Sequence, residues 1–155
     1  MNIFIKPAVI EQAREISRLL NSLTKEFISK DCSEAGVKVL LNSMSEENIK
    51  MYVQSDFYYV VAKIDKEIVG VIALKSENHI YHLFVSRRVQ SNGIATQLWQ
   101  YLENHANKKF NPKYFTVNSS NNAVGLYEKF GFVAESEAQT KNGVSSIPMK
   151  LIYNQ

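Results

Sequence analysis

The chain has 155 residues and a mass of 17.7 kDa, enough to bury most of its unfolded surface with no disulfide or metal staple. Its content of 45% hydrophobic and 21% charged residues is ordinary for a globular protein, and no window approaches the roughly 18–20 apolar residues of a membrane span. A net charge of +3 and a pI near 8.9 suit an anionic ligand, while the absence of a basic stripe points away from nucleic acid.

The lone cysteine, Cys32, excludes an internal disulfide and a cysteine-based metal cluster, and favours a reducing, cytoplasmic setting. The opening "MNIFIKPAVIEQAREI" has neither a long apolar run nor a small-residue cleavage site, so no signal peptide is expected. With no repeat, low-complexity tract or Pro/Gly-rich linker, residues 1–155 are expected to form a single domain.

In chain order, "NIFIKPA" reads as a short strand stopped by Pro7. From Val9 to about Ile28 the apolar positions Ile10, Ala13, Ile16, Leu19, Leu20 and Leu23 recur at helical spacing. A less regular helical region follows from about Ser33 to Val53, with a break expected near Asn42–Ser45. "FYYVVAKID" and "EIVGVIALKSEN" make a hairpin, and "HIYHLFVS" a further strand. Leu98, Leu102 and Ala106 give residues 94–109 one apolar face. "KYFTV" is a strand, and "NNAVGLYEKF" a short helix ended by Gly131 in a left-handed cap with Phe132 as its apolar contact. "GFVAESEA" and "SIPMKLIY" close the chain as two strands, with an Asn-Gly turn in "TKNGV" between them. The order predicts a mixed α/β (α+β) domain and not a repeated βαβ dinucleotide fold.

The stretch "RRVQSNGIATQLW", residues 87–99, places a small, basic turn at the mouth of a helix. A helix N-terminus exposes unpaired N–H groups and a partial positive charge, so small residues there let a phosphate approach the main chain. Gly93 and Ala95 supply that small bulk, and Arg87 and Arg88 add charge nearby. No Gly-Lys-Ser/Thr is present, and the three spaced glycines of a dinucleotide fingerprint are missing.

Gln90-Ser91-Asn92-Gly93-Ile94-Ala95 resembles the Gln/Arg-x-x-Gly-x-Gly/Ala motif with which GNAT superfamily N-acetyltransferases hold acyl-CoA pyrophosphate. "SSNNAVGLYEKFGF" is similar to the second signature of that family, and "IFIKPA" before a helix to its usual start. The resemblance covers nearly the whole chain. It implies a mixed central sheet of about seven strands flanked by about four helices. It also implies acetyl-CoA as cosubstrate, no metal, and acetyl transfer to a primary amine by direct attack in a ternary complex.

Residue by residue, the resemblance implies that Leu83, Phe84 and Val85 offer main-chain groups to the pantetheine arm. Gln90 and the amides of Ser91, Asn92, Gly93, Ile94, Ala95 and Thr96 would hold the pyrophosphate. Asn118 would contact pantetheine or only shape its turn. Tyr127 matches the tyrosine that stands near the sulfur and protonates the departing thiolate. Relatives often carry a Glu base on the strand before the phosphate loop, and "HIYHLFV" has no acid. His79 is the candidate base, directly or through water, with Glu77 an outside candidate. Simple alternation puts His82 on the opposite face from His79. Ser91 replaces the first glycine of many relatives, and Ser120 stands where many have Asn.

The acceptor side is less legible. Tyr52, Phe57, Tyr58 and Tyr59 are candidates to wall an acceptor pocket, although most are expected in the core. A small amine, a polyamine, an amino acid and a protein lysine or N-terminus all stay open as acceptors, and a homodimer is open too. No nucleic-acid or membrane partner is expected. Two rival readings remain: an acyl-CoA-binding sensor or interaction module without chemistry, and a phosphate loop serving another nucleotide.

Overall fold

The structure is a computed structural model and describes residues 2–153. One mixed sheet organises it. Strand β1 (Ile3–Pro7) is followed by α1 (Ala13–Leu23), α2 (Glu34–Ser43) and α3 (Glu46–Gln54). Three strands come next, β2 (Tyr58–Ile64), β3 (Glu67–Lys75) and β4 (His79–Val85). Then come α4 (Ile94–Lys109), β5 (Tyr114–Ser119), α5 (Val124–Lys129), β6 (Val133–Ala134), β7 (Gln139–Lys141) and β8 (Val144–Ile152). The strand order is β1-β2-β3-β4-β5-β8-β6, with β7 paired to β8. All pairings are antiparallel except β4 with β5.

β3 is buried from Ile68 to Leu74, so its sequence is an unbroken apolar run whose alternate side chains serve two cores. On one face Val69, Ile72 and Leu74 pack with Leu98, Leu102 and Ala106 of α4. On the other, Ile68, Val71 and Ala73 meet Ala13, Ile16 and Leu20 of α1 and Ile49 of α3. The predicted break in the second helical region lies at Met44–Ser45. There Ser45 accepts a hydrogen bond from the Asn48 amide at 3.2 Å and caps α3, as Ser33 caps α2 through the Gly36 amide at 3.0 Å. The Ser17 hydroxyl donates to the Met44 carbonyl at the same joint.

Two elements depart from the expected outline. The first helix does not run evenly to Ile28; it widens after Leu23 into a π-helical turn, Thr24–Ile28, and then a 3-10 turn, Ser29–Asp31. "GFVAESEA" is not one strand but ends as β6, and the chain rejoins the sheet as β7, so the described residues hold eight strands and five α-helices. Both pieces lie along β8, β7 against Val144–Ser146 and β6 against Met149 and Lys150. Between them stands Pro148, which has no N–H to donate and whose carbonyl accepts from the Glu135 amide at 2.8 Å.

Candidate functional site

The site begins where β4 and β5 part. Their ladder consists of His79 opposite Thr116 and Ile80 opposite Val117. Beyond Ile80, β4 stays paired to β3 but has no strand on its β5 side, which leaves main-chain groups from Tyr81 onward unpaired along that edge. A bulge at Tyr81 coincides with the parting: Leu74 faces Ile80 while Ala73 faces His82, so β4 holds one extra residue. A bulge bends its strand and sharpens the local twist. It also breaks the alternation used to separate the two histidines. Tyr81, His82 and Phe84 lie on the α1/α3 side, and Leu83 and Val85 on the α4 side. His79 and His82 consequently line the same cavity, a correction to the opposite-face expectation.

The stretch 87–99 lies at the mouth of α4 as its sequence predicts. Gly93 occupies the N-cap position in the left-handed conformation, φ 76°, and its carbonyl receives the Gln97 amide at 3.0 Å. Ser91, in place of the family's glycine, is also left-handed with φ 71°, a conformation that costs a non-glycine residue about 1–2 kcal/mol. The Asn92 side chain is tied back to the Val89 carbonyl at 3.0 Å, and Gln90 Nε2 donates to the Val85 carbonyl at 3.0 Å. Gln90 thus fastens the loop to the end of β4.

A cavity of about 480 Å³ opens beside this loop, lined by Leu83, Phe84, Val85, Gln90, Ser91 and Gly93 through Thr96. Asn92 is absent from that lining, its amide group being turned to the loop itself. The π-helical turn supplies Phe27 and Ile28 to the opposite wall, and α5 supplies Leu126 and Lys129. The two arginines expected to add charge here are engaged elsewhere: Arg87 pairs with Glu26 at 3.6 Å and Arg88 with Glu67. The lining cation is Lys129. Sequence reasoning missed it because a lysine late in a short helix carries no signal of where it points.

A second cavity, also about 480 Å³, continues from the first. The two share Ile28, Leu83, Phe84, Ser120 and Ala123 as common wall. The second adds His79, Tyr81, His82, Asn118 and Tyr127, and is closed by α2 and the β7–β8 hairpin. Asn118 therefore belongs to this cavity and not to the one beside the α4 loop. Tyr127 is buried, 5% exposed, and packs edge-on to Phe132 at 5.7 Å and Phe130 at 6.1 Å. Burial raises its phenol well above the ordinary value, so it is protonated at any physiological pH.

His79 Nδ1 lies 2.8 Å from Thr116 Oγ1 across the short parallel ladder. Burial, with the Lys75 ammonium nearby, lowers its pKa below the ordinary imidazole value, which keeps the ring neutral. Glu77 sits in the β3–β4 turn and lines neither cavity. Tyr52, Phe57, Tyr58 and Tyr59 do not line the cavities either. Tyr52 and Phe57 stack at 4.6 Å behind Tyr81, Tyr59 is core, and Tyr58 stacks on His105 at 3.6 Å on the other face. The aromatic wall comes instead from Tyr81 and Phe84.

The hairpin that closes the second cavity is held by a close approach of two glycines. A Cβ on Gly36 would lie 2.2 Å from the Gly143 carbonyl oxygen, and the Ser33 amide donates to that same oxygen at 2.9 Å. Gly36→Ala is expected to force α2 and the hairpin apart and to cost about 1–3 kcal/mol in urea unfolding. An unchanged unfolding midpoint would mean that the hairpin yields freely.

Among the described residues, no cluster of His, Cys, Asp or Glu is placed to hold a metal, and no helix is long and apolar enough to cross a membrane. The sequence profile of the acetyltransferase (GNAT) domain matches residues 28–153. The chain belongs to the GNAT acetyltransferase family. Solved structures agree on the fold. A GCN5-related N-acetyltransferase from Rhodopseudomonas palustris superposes with a TM-score of 0.84 at 22% identity, covering 99% of this chain and 97% of that one. The PaiA N-acetyltransferase of Thermoplasma acidophilum, solved with coenzyme A, gives 0.83 at 19% identity, covering 99% and 100%. An aminoglycoside 6′-N-acetyltransferase complexed with coenzyme A gives 0.71 at 15%, covering 96% of each. No curated protein matches the sequence.

Proposed function

We propose that this GNAT protein transfers the acetyl group of acetyl-CoA to a primary amine by direct attack in a ternary complex. The observation that carries the reading is the shared wall. A phosphate-loop cavity and a second cavity run into one another between β4 and β5, so two ligands entering from opposite sides meet there.

Acetyl-CoA, when bound, supplies an activated acyl carbon and a sulfur leaving group. The chain's own residues fit it. The unpaired amides at the start of α4 and the Lys129 ammonium favour phosphate, and the free edge of β4 at Leu83 and Phe84 suits an extended amide-bearing arm. The Val85 carbonyl is already taken by Gln90, so Val85 contributes less than its neighbours.

The amine must arrive neutral to attack, and a neutral His79 can remove its proton, directly or through water. In the tautomer whose Nδ1–H donates to Thr116 Oγ1, Nε2 is left with the lone pair that accepts it. Nitrogen then bonds to the acyl carbon, the carbon–sulfur bond breaks, and Tyr127 delivers a proton to sulfur. A phenol kept neutral by burial is a donor only where the thiolate is equally unsolvated, as a sulfur lying against the buried Tyr127 would be.

Calorimetric titration with acetyl-CoA and with CoA, followed by amine-dependent thiol release, tests the reading. Binding with release on an amine supports it. Binding without release on any amine favours the acyl-CoA sensor, and no binding removes both. Tyr127→Phe is expected to lower kcat on the order of a hundredfold while leaving acetyl-CoA affinity unchanged. Equal turnover in the variant would take Tyr127 out of the mechanism.

A further inference from the structure

The second cavity has a one-sided chemistry. Its body is apolar: Val39, Leu40 and Met44 on one side, Tyr81, Phe84 and Val117 on the other. Its remaining polar groups are mostly neutral hydroxyls and amides. Among the described residues that line it, none is Asp or Glu. Its one lysine, Lys141, is exposed at the rim on β7. A second ammonium stands behind the aromatic wall, Lys75 Nζ lying 5.6 Å from the centre of the Tyr81 ring. Several of the chain's acids are used elsewhere: Glu26, Glu46 and Glu67 in surface ion pairs, and Glu15 as acceptor for the Ile68 amide.

An ammonium entering such a space loses water and finds no counter-charge, so its charged form is disfavoured. For the reacting nitrogen that is useful, since it must shed a proton before attack. For any second ammonium on the same molecule it is a pure cost. Polycations are held by carboxylates, and this wall offers none. An anion on the acceptor would instead find Lys141 at the rim.

We propose that the acceptor is a primary monoamine on an apolar body, whose only other charge, where it carries one, is negative. This deepens the acetyl-transfer reading and rests on it. It separates the chain from the aminoglycoside acetyltransferase whose fold it shares.

The test uses acetyl-CoA with four acceptors: phenethylamine, phenylalanine, spermidine and the aminoglycoside kanamycin. Thiol release is measured for each, and acetyl-CoA binding is measured by calorimetry on the same preparation. The expected result is a kcat/KM for the better monoamine more than tenfold above that of either polycation. A polycation within tenfold, or ahead, overturns the inference while leaving acetyl transfer intact. Turnover of none of the four by protein that binds acetyl-CoA overturns it as well. Failure to bind acetyl-CoA would instead sink the transfer reading beneath it. Lys141→Glu, an exposed change that leaves the core untouched, is expected to lower kcat/KM for phenylalanine at least tenfold relative to phenethylamine. An unchanged ratio would remove Lys141 from acceptor selection.

Discussion

Gly93→Glu is expected to abolish acetyl-CoA binding while the protein stays folded. The space around Gly93 is open: a Cβ built there meets nothing within 4 Å, so the substitution makes no clash. Its backbone cost comes from φ 76°, about 1–2 kcal/mol for a residue with a side chain. A protein with the usual 5–15 kcal/mol of stability, roughly, survives that loss. Binding is another matter. The new carboxylate sits at the positive end of α4, where it satisfies the free amides itself and repels an incoming phosphate. A loss of at least about a hundredfold in affinity, roughly 2.7 kcal/mol, is expected by calorimetry. Gly93→Ala carries the same backbone cost without the charge and separates the two effects. Unchanged affinity in the Glu variant would place the pyrophosphate elsewhere.

The second large effect is on stability in acid, and it comes from His82. This residue is 5% exposed, ringed by Tyr59, Tyr81 and Phe84, and its Nε2 has no protein partner among the described residues. Burial pushes its pKa down to about 3. In the unfolded chain the imidazole titrates near 6.5, so between those two values the unfolded state binds more protons. Stability from this group is complete above pH 6.5 or so and is lost as pH falls toward 3. At pH 5 the loss is about 2 kcal/mol. His79 and His105, whose pKa values are also lowered, add to the loss with the same sign.

His82→Phe removes both the titration and an unpartnered buried nitrogen, and its aromatic neighbours suit a phenyl ring. Urea unfolding at pH 7 and pH 5 should show wild type losing about 2 kcal/mol more than the variant between the two conditions. Equal losses would mean that His82 is not buried in its neutral form.

Much of the frame is legible in the sequence because it rests on local rules. Asn142 and Gly143 both take positive φ, 52° and 78°, as an Asn-Gly hairpin demands. Gly131, φ 103°, ends α5, and the Phe132 amide returns to the Tyr127 carbonyl at 3.0 Å. The loop at residues 90–96, Asn92 apart, lines its cavity for the same reason: a strand, a small-residue turn and a helix start are all written locally. The bulge at Tyr81 is not, because it depends on how β4 lies against β3, and with it went the placement of His82. Arg87 and Arg88 misled for a related cause. Their charge is visible in sequence, but their partners, Glu26 and Glu67, are distant along the chain.

The common wall between the two cavities has a thermodynamic corollary. Ile28, Leu83, Phe84, Ser120 and Ala123 cannot be shaped by one occupant without altering what the other meets. On the ternary-complex reading proposed above, two occupants would share that wall, and any linkage between them would be reciprocal: whatever factor a ligand beside the α4 loop added to binding in its neighbour, the neighbour would return. The parting of β4 from β5 would then be the seat of that coupling within a single sheet.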